Sequence, residues 1–458
     1  MKARIYRTCG ANLEKLADLG EFLLEKEPYS EDTAVMRKID VVHKMINVHP
    51  EVEFSAFDGF GGAITEATAV NYMAMPEEMK EEVLRSYFSK DEGIGYTLGR
   101  VSVGSSDFGI DNYCYVTEGD ETLESFDFSR EDKAVIPMLR EAQKWAEDLK
   151  ILGSAWSPPK YMKDNNSYQG GHLLPRYYDL WAKYLRKFVD AMQERGIDIW
   201  ALTPQNETRH QQLWESCCYS AQQEMELVKK LGPALEGTDV KLYLYDHNKE
   251  RLFERAQAYF SDPEVAKFVE GVACHWYSRD HFGQIQLCKH VFPEKKVMMS
   301  EGCIYHDEKG FGNNQWSLAL RYVHDIIGNM NAGISTIFDW NMILDEENGP
   351  FHWRQGRRLC DSAIFYDKKN NRLYYHPYYY FVGQFSKFIR PGAVRVGHSS
   401  YSPLLETTAF KNPDGTIAVV VFNNSDSQLP YVLRMQGKLL NRIAEPYGVE
   451  TILLTQEG

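Results

Sequence analysis

The chain has 458 residues, 43% of them hydrophobic, and a formal net charge of −14. That apolar content can fill a large core, and the length suits either several small domains or one barrel of about 250 residues with an addition. The acidic balance disfavours nucleic acid and anionic membrane surfaces as partners and is compatible with neutral carbohydrate.

The first residues, Met1-Lys2-Ala3-Arg4-Ile5-Tyr6, lack the apolar stretch of a signal peptide. No window approaches the roughly 18 apolar residues of a membrane span. Residues 2–9 carry a strand pattern, and a segment near 38–52 offers a second. From about residue 53 short apolar runs alternate with helical stretches. Strand-like runs fall at 53–57, 95–103, 150–155, 197–202, 240–245, 269–275, 296–299 and 334–340. Helix candidates between them include 76–88, 130–148, 175–195, 220–231, 249–259 and 314–331. Alternation of this kind predicts parallel βα units, and eight of them predict closure into a (β/α)8 TIM barrel over 53–389. An open doubly wound sheet is disfavoured, because no Gly-rich phosphate loop follows the first strand.

The tail at 390–458 differs. Short strand patterns at 392–396, 407–411, 417–423 and 431–435 are separated by turns such as Pro413-Asp414-Gly415. With no helices between them the strands should run antiparallel. They are too few for a sandwich, so residues 1–52 are expected to complete a β-sandwich side domain formed from both chain termini. The eight cysteines scatter without CxxC spacing, which suggests reduced, structural thiols and, in a chain with no visible export signal, a cytoplasmic location. No cofactor or metal is implied, and a homo-oligomer is compatible with everything read so far.

Two segments carry the chemistry. The fourth strand runs into Thr203-Pro204-Gln205-Asn206-Glu207, and the seventh into Met298-Met299-Ser300-Glu301-Gly302. A single Glu at a strand end is ordinarily a surface or capping group, and a single His or Trp ordinarily core. Two carboxylates from separate strands on one barrel rim are what retaining glycoside hydrolysis needs: one protonated to leave with the aglycone oxygen, one ionised to attack the anomeric carbon. Glu207 is the expected acid, its pKa raised by burial and a neighbouring charge, and Glu301 the nucleophile, kept ionised by Tyr277 and Arg100. The reading predicts carboxyls about 5–5.5 Å apart rather than about 6.5–9.5 Å. The Asn206 amide suits a sugar 2-hydroxyl, and Trp156 and Trp340 offer flat faces to a ring. Asp58, Glu66 and Asn341 can accept from or donate to sugar hydroxyls, Asp246 and His275 stand at further strand ends, and Gly61-Gly62 lets a loop pass close to the site. A metal-dependent hydrolase using Asp246, His247, His275 and Glu301 is disfavoured by their irregular spacing. A silent sugar-binding barrel is disfavoured by the presence of both glutamates.

The ordered motifs resemble glycoside hydrolase family 30, the group that includes acid β-glucosylceramidase. They comprise Gly59-Phe60-Gly61-Gly62-Ala63, Ser86-Tyr87-Phe88-Ser89, Trp156-Ser157-Pro158, Gln205-Asn206-Glu207, His275-Trp276-Tyr277, Ser300-Glu301, Asp339-Trp340-Asn341 and the closing Phe385-Ser386-Lys387-Phe388-Ile389. The resemblance implies a barrel with a β-sandwich, double displacement with Glu207 as acid/base and Glu301 as nucleophile, and no metal. It implies sugar-site roles for Trp156, Asn206, His275, Tyr277, Trp340 and Asn341, and puts Glu66 where glucosylceramidases hold the outer hydroxyls with an aspartate. Thr208 replaces a proline common after the acid/base, and the loop at 209–218 looks unlike the lipid enzyme's. The expected substrate is β-linked glucose in small glucosides or β-1,6-linked gluco-oligosaccharides, with β-xylosides, β-fucosides and glucosylceramide as alternatives.

Overall fold

A computed structural model describes residues 1–27, 45–306, 315–353 and 359–455. Its centre is a closed barrel of eight strands: β1 (Gly59–Ala63), β2 (Leu98–Val103), β3 (Lys150–Ala155), β4 (Ile199–Thr203), β5 (Lys241–Asn248), β6 (Val269–His275), β7 (Lys296–Glu301) and β8 (Thr336–Asn341). Every neighbouring pair is parallel, and β8 closes on β1 with Thr336 opposite Gly59. Leu98, Leu152, Ala201, Tyr243, Ala273, Met298 and Phe338, one from each of β2 to β8, fill the interior. The barrel is therefore a packed core whose chemistry must sit above it.

The first barrel strand is not the predicted one. Residues 53–56 finish the long strand Met45–Ala56, which pairs with Val394–Ser400 in the side domain. That stretch is exposed, with Phe54 lying under the Arg395 guanidinium at 3.7 Å. The true β1 is Gly-Phe-Gly-Gly-Ala, which lacks the branched residues that mark a strand. Its glycines also do something other than shape a loop. A Cβ on Gly61 would lie 2.3 Å from the Leu98 carbonyl oxygen, so β1 and β2 approach only because that side chain is missing.

The side domain is a ten-stranded β-sandwich made from both ends of the chain. Its order is Glu14–Leu23, Lys2–Cys9, Val449–Thr455, Ile417–Asn423, Leu405–Lys411, Val394–Ser400, Met45–Ala56, Leu429–Met435, Lys438–Ala444 and Glu25–Lys26. Ile5, Val48, Val396, Val421, Leu433 and Ile452 share its separate core. Leu429–Met435 runs parallel to Met45–Ala56, contrary to the antiparallel expectation, because its neighbour comes from the far end of the chain. The predicted strand residues 38–44 lie outside the described residues. Helix Pro377–Ser386 ties the sandwich to the barrel: Gln384 donates to Thr8 at 2.9 Å and accepts from the Thr451 hydroxyl at 2.6 Å. No helix among the described residues is long and apolar enough to cross a membrane.

Candidate active site

Parallel strands deliver their C-terminal ends to one rim, and the two glutamates arrive there differently. Glu301 is the last residue of β7 and inherits its direction from the strand. Glu207 lies four residues beyond β4 with φ at +53°, a left-handed backbone that an L-residue adopts only under constraint. Its amide donates to the Asp246 carbonyl at 2.7 Å, and Tyr245 and Asp246 are themselves left-handed at +77° and +42°. The turn after β4 thus leans on the C-terminal end of β5, and both carry left-handed backbone.

Arg100, projecting from β2 and wholly buried, is the hub. It donates to Glu301 Oε2 at 2.6 Å, Asn206 Oδ1 at 2.9 Å, Asp246 Oδ2 at 3.0 Å and Ser154 Oγ at 3.0 Å. Tyr277 donates to the other Glu301 oxygen at 2.8 Å, so that carboxylate is held at both ends. The bond from Arg100 engages the carbonyl end of the Asn206 amide and leaves its NH2 to donate elsewhere. Asp246 is pushed well below the ordinary carboxylate range: burial works against its charge, but Arg100 and His275 outweigh it.

His275 links the glutamates. Its Nε2 meets Asp246 Oδ1 at 2.9 Å, while Nδ1 lies 3.4 Å from Glu207 Oε1 and 3.8 Å from Glu301 Oε1. The two carboxyl oxygens can be no further apart than those last two distances laid end to end. Burial disfavours the imidazolium, yet Glu301, Asp246 and Glu207 together push His275 up to about 10. Burial likewise favours a neutral Glu207, but the bond and charge from His275, with the bond from Gln212, bring it down to about 2. The sign is opposite to the sequence expectation, because that expectation counted Glu301's charge and not the cation between the two acids. The mutual effect within the Glu207–His275 pair favours imidazolium beside carboxylate.

Above this network lies a pocket of about 280 Å³, at the small end of ligand sites. Trp156 and Trp340, stacked at 5.4 Å with the Arg100 guanidinium over both, form an apolar wall. Asn206, Glu207, Tyr277 and Glu301 also line it. Not every predicted residue reaches it. Asp58 sits before β1, at the opposite end of the barrel, paired with Lys296 at 2.7 Å where β7 begins; it followed the misplaced first strand. Glu66 opens helix Glu66–Met73 and is held by Arg130 at 2.8 and 3.1 Å and by the Ile110 amide at 2.9 Å, away from the lining. Asn341 is buried beside the wall, accepting from Thr65 at 2.7 Å, and is also absent from the lining.

The carboxyl that does reach the pocket is Asp107, on the loop after β2. Its Oδ1 has no partner among the described residues. Burial, with the charges of Glu301, Glu215 and Glu207, pushes it well above the usual range. Its place after the second strand was readable; its approach to the pocket was not. His210, Gln212 and Trp214 come from the loop at 209–218 and Tyr305 from the loop after β7, segments with no periodic signal. Gln212 donates to Glu207 Oε2 at 2.7 Å. His247, next to Asp246, is held by burial down to about 3 and is neutral.

Comparison with known proteins places this geometry. Residues 57–389 match the glycosyl hydrolase family 30 TIM-barrel domain and residues 392–452 its β-sandwich domain. A lysosomal acid glucosylceramidase of Mus musculus is 33% identical over 434 residues, covering 89% of this chain and 83% of that protein. The crystal structure of SrfJ from Salmonella typhimurium superposes with a TM-score of 0.92 at 34% identity over 100% of both chains. A solved endo-β1,6-glucanase superposes with a TM-score of 0.87 at 25% identity, covering 99% of this chain and 100% of that one.

Proposed function

This chain belongs to glycosyl hydrolase family 30, and from that premise we propose that it is a retaining β-glycosidase releasing β-linked glucose from small glucosides or β-1,6-linked gluco-oligosaccharides. The observation that carries the reading is the placing of Glu207 and Glu301 against one nitrogen of His275, beside a pocket walled by stacked tryptophans. The bound this sets on their separation excludes the upper part of the inverting range of about 6.5–9.5 Å. The glucosyl group is common to the names of two relatives, a glucosylceramidase and an endo-β1,6-glucanase.

In the first step a Glu301 oxygen bonds to the anomeric carbon as the glycosidic C–O bond breaks, and Glu207 delivers a proton to the departing oxygen. Glu301 is the strongest charge supporting the His275 imidazolium. As its charge is consumed by the new bond, that support falls, which favours passage of the proton from Nδ1 through Glu207 to the leaving group. In the second step water attacks the glycosyl-enzyme, Glu207 takes its proton, and Glu301 departs as carboxylate. Proton NMR of aryl β-glucoside hydrolysis should show β-glucose appearing first; initial α-glucose, or no turnover of any aryl β-glycoside, overturns the reading. Relative kcat/KM on aryl glucoside, xyloside and fucoside, on gentiobiose, and on glucosylceramide in detergent selects the substrate.

A further inference from the structure

Two histidines to which the proposed hydrolysis gives no role, His210 on the pocket lining and His247 behind it, converge on Glu207. One donor atom from each of Glu207, His210 and His247 lies within 4.8 Å of the other two. The His210 and His247 rings meet edge to face, centroids 4.5 Å apart at 88°. His247 is fully buried, and neither of its ring nitrogens has a hydrogen-bond partner among the described residues. A buried imidazole without partners costs free energy unless a ligand engages it.

We propose that Glu207, His210 and His247 bind a borderline divalent cation, zinc above all, and that the bound ion inhibits the enzyme. Two imidazoles and one carboxylate are a donor set that zinc takes with a fourth position left to water. Tetrahedral ligands with metal bonds of about 2.0–2.2 Å stand about 3.3–3.6 Å apart, so the widest pair must close by up to about 1.5 Å. His210 is exposed on its loop and has room to make that move, whereas His247 and Glu207 are buried. Gln212 donates to Glu207 Oε2 and His275 stands against Oε1, and a carboxylate has lone pairs for both and for a cation. An ion there engages the oxygens that must carry a proton to the leaving group and crowds the pocket beside them. Only the inhibition rests on Glu207 acting as acid/base; the binding rests on geometry.

The test uses the full chain freed of metal by a chelator. Calorimetry with zinc chloride should find one strong equivalent, and cobalt(II) should give the visible absorption of a four-coordinate, imidazole-bound ion. His210→Gln, at an exposed position, should weaken zinc at least about tenfold, and His247→Gln should do so more. Aryl β-glucosidase activity of the unsubstituted chain should fall with the calorimetric midpoint and return on chelation. No binding below about 1 mM, or equal affinity in His210→Gln, overturns the site. Zinc bound at the cluster without loss of turnover, or inhibition undiminished in His210→Gln, overturns the inhibitory role. The binding readouts need no turnover, so failure of the glycosidase reading leaves them decisive.

Discussion

Two buried ionic clusters in this molecule share the same ingredients and serve different ends. In the helical layer, Glu224 on helix Ala221–Ala234 accepts from Arg255 at 2.8 Å, from the Tyr259 hydroxyl and from the Tyr245 amide at 3.1 Å. At the rim, Arg100 gathers Glu301, Asp246 and Asn206, with His275 bridging to Glu207. The first is closed, each acid oxygen spent on a fixed donor. The second opens on a pocket, stands on left-handed backbone at Glu207 and Asp246, and has a proton held between two acids. Burial and an arginine do not by themselves make a reactive carboxylate; an unfilled side facing a cavity does.

The contrast can be broken from the rim first. Glu301→Gln should lower kcat by about four orders of magnitude or more while far-UV circular dichroism and Tm stay near those of the unsubstituted chain. Glu207→Gln should cost about 10²–10⁴ in kcat/KM on substrates with poor leaving groups, and azide, attacking the glycosyl-enzyme in place of water, should raise kcat on an activated aryl glycoside with glycosyl azide as the product. A Glu207→Gln enzyme as slow on activated aryl glycosides as on gentiobiose would show that the acid role is misplaced. The closed cluster should behave the other way: Glu224→Leu strands Arg255 and should cost about 3–5 kcal/mol of unfolding free energy, with kcat of the folded fraction near that of the parent.

Stability against pH sharpens the rim side. His275 is raised in the folded state to about 10. Its contribution is fully present below the unfolded value near 6.5 and is lost as pH rises toward 10. Glu207 is lowered to about 2, so its contribution is present above 4.5 and is lost as pH falls toward 2. His275→Asn should therefore flatten the alkaline fall in Tm, and an unchanged slope would remove the imidazolium from the account. The smallest effect is expected at the barrel foot. Asp58→Asn breaks a partly exposed pair with Lys296 and should cost about 0–1 kcal/mol, with kcat/KM unchanged. A large loss of activity there would return Asp58 to the site.

Legibility followed the strength of local pattern. Strands β2 to β8 were readable because runs such as Lys-Ile-Leu-Gly-Ser-Ala and Val-Glu-Gly-Val-Ala-Cys-His are apolar, short and bounded by helical periods. The rim positions of Glu207 and Glu301 followed from the strands before them. β1 was missed because glycine carries no pattern, and Asp58 was misplaced with it. Two tail strands, Lys438–Ala444 and Val449–Thr455, escaped although turn residues at Gln436-Gly437 and Pro446-Tyr447-Gly448 precede them. Glu66 and Asp107 each follow a barrel strand, and the Arg130 bridge holds Glu66 while Asp107 lines the pocket.

The sequence by itself determined the repeated βα unit, the two-ended side domain and the rim to which both glutamates belong. These depend on local periodicity and chain order, and neighbouring residues carry that information. Only the tertiary structure decided which side chains share the pocket, where the Glu207 proton rests and that two histidines converge on the same carboxylate. Those are matters of distance between residues far apart in the chain. Electrostatic coupling grows steeply as such groups approach in a buried site, so an ångström that no spacing rule encodes sets the sign of a pKa shift.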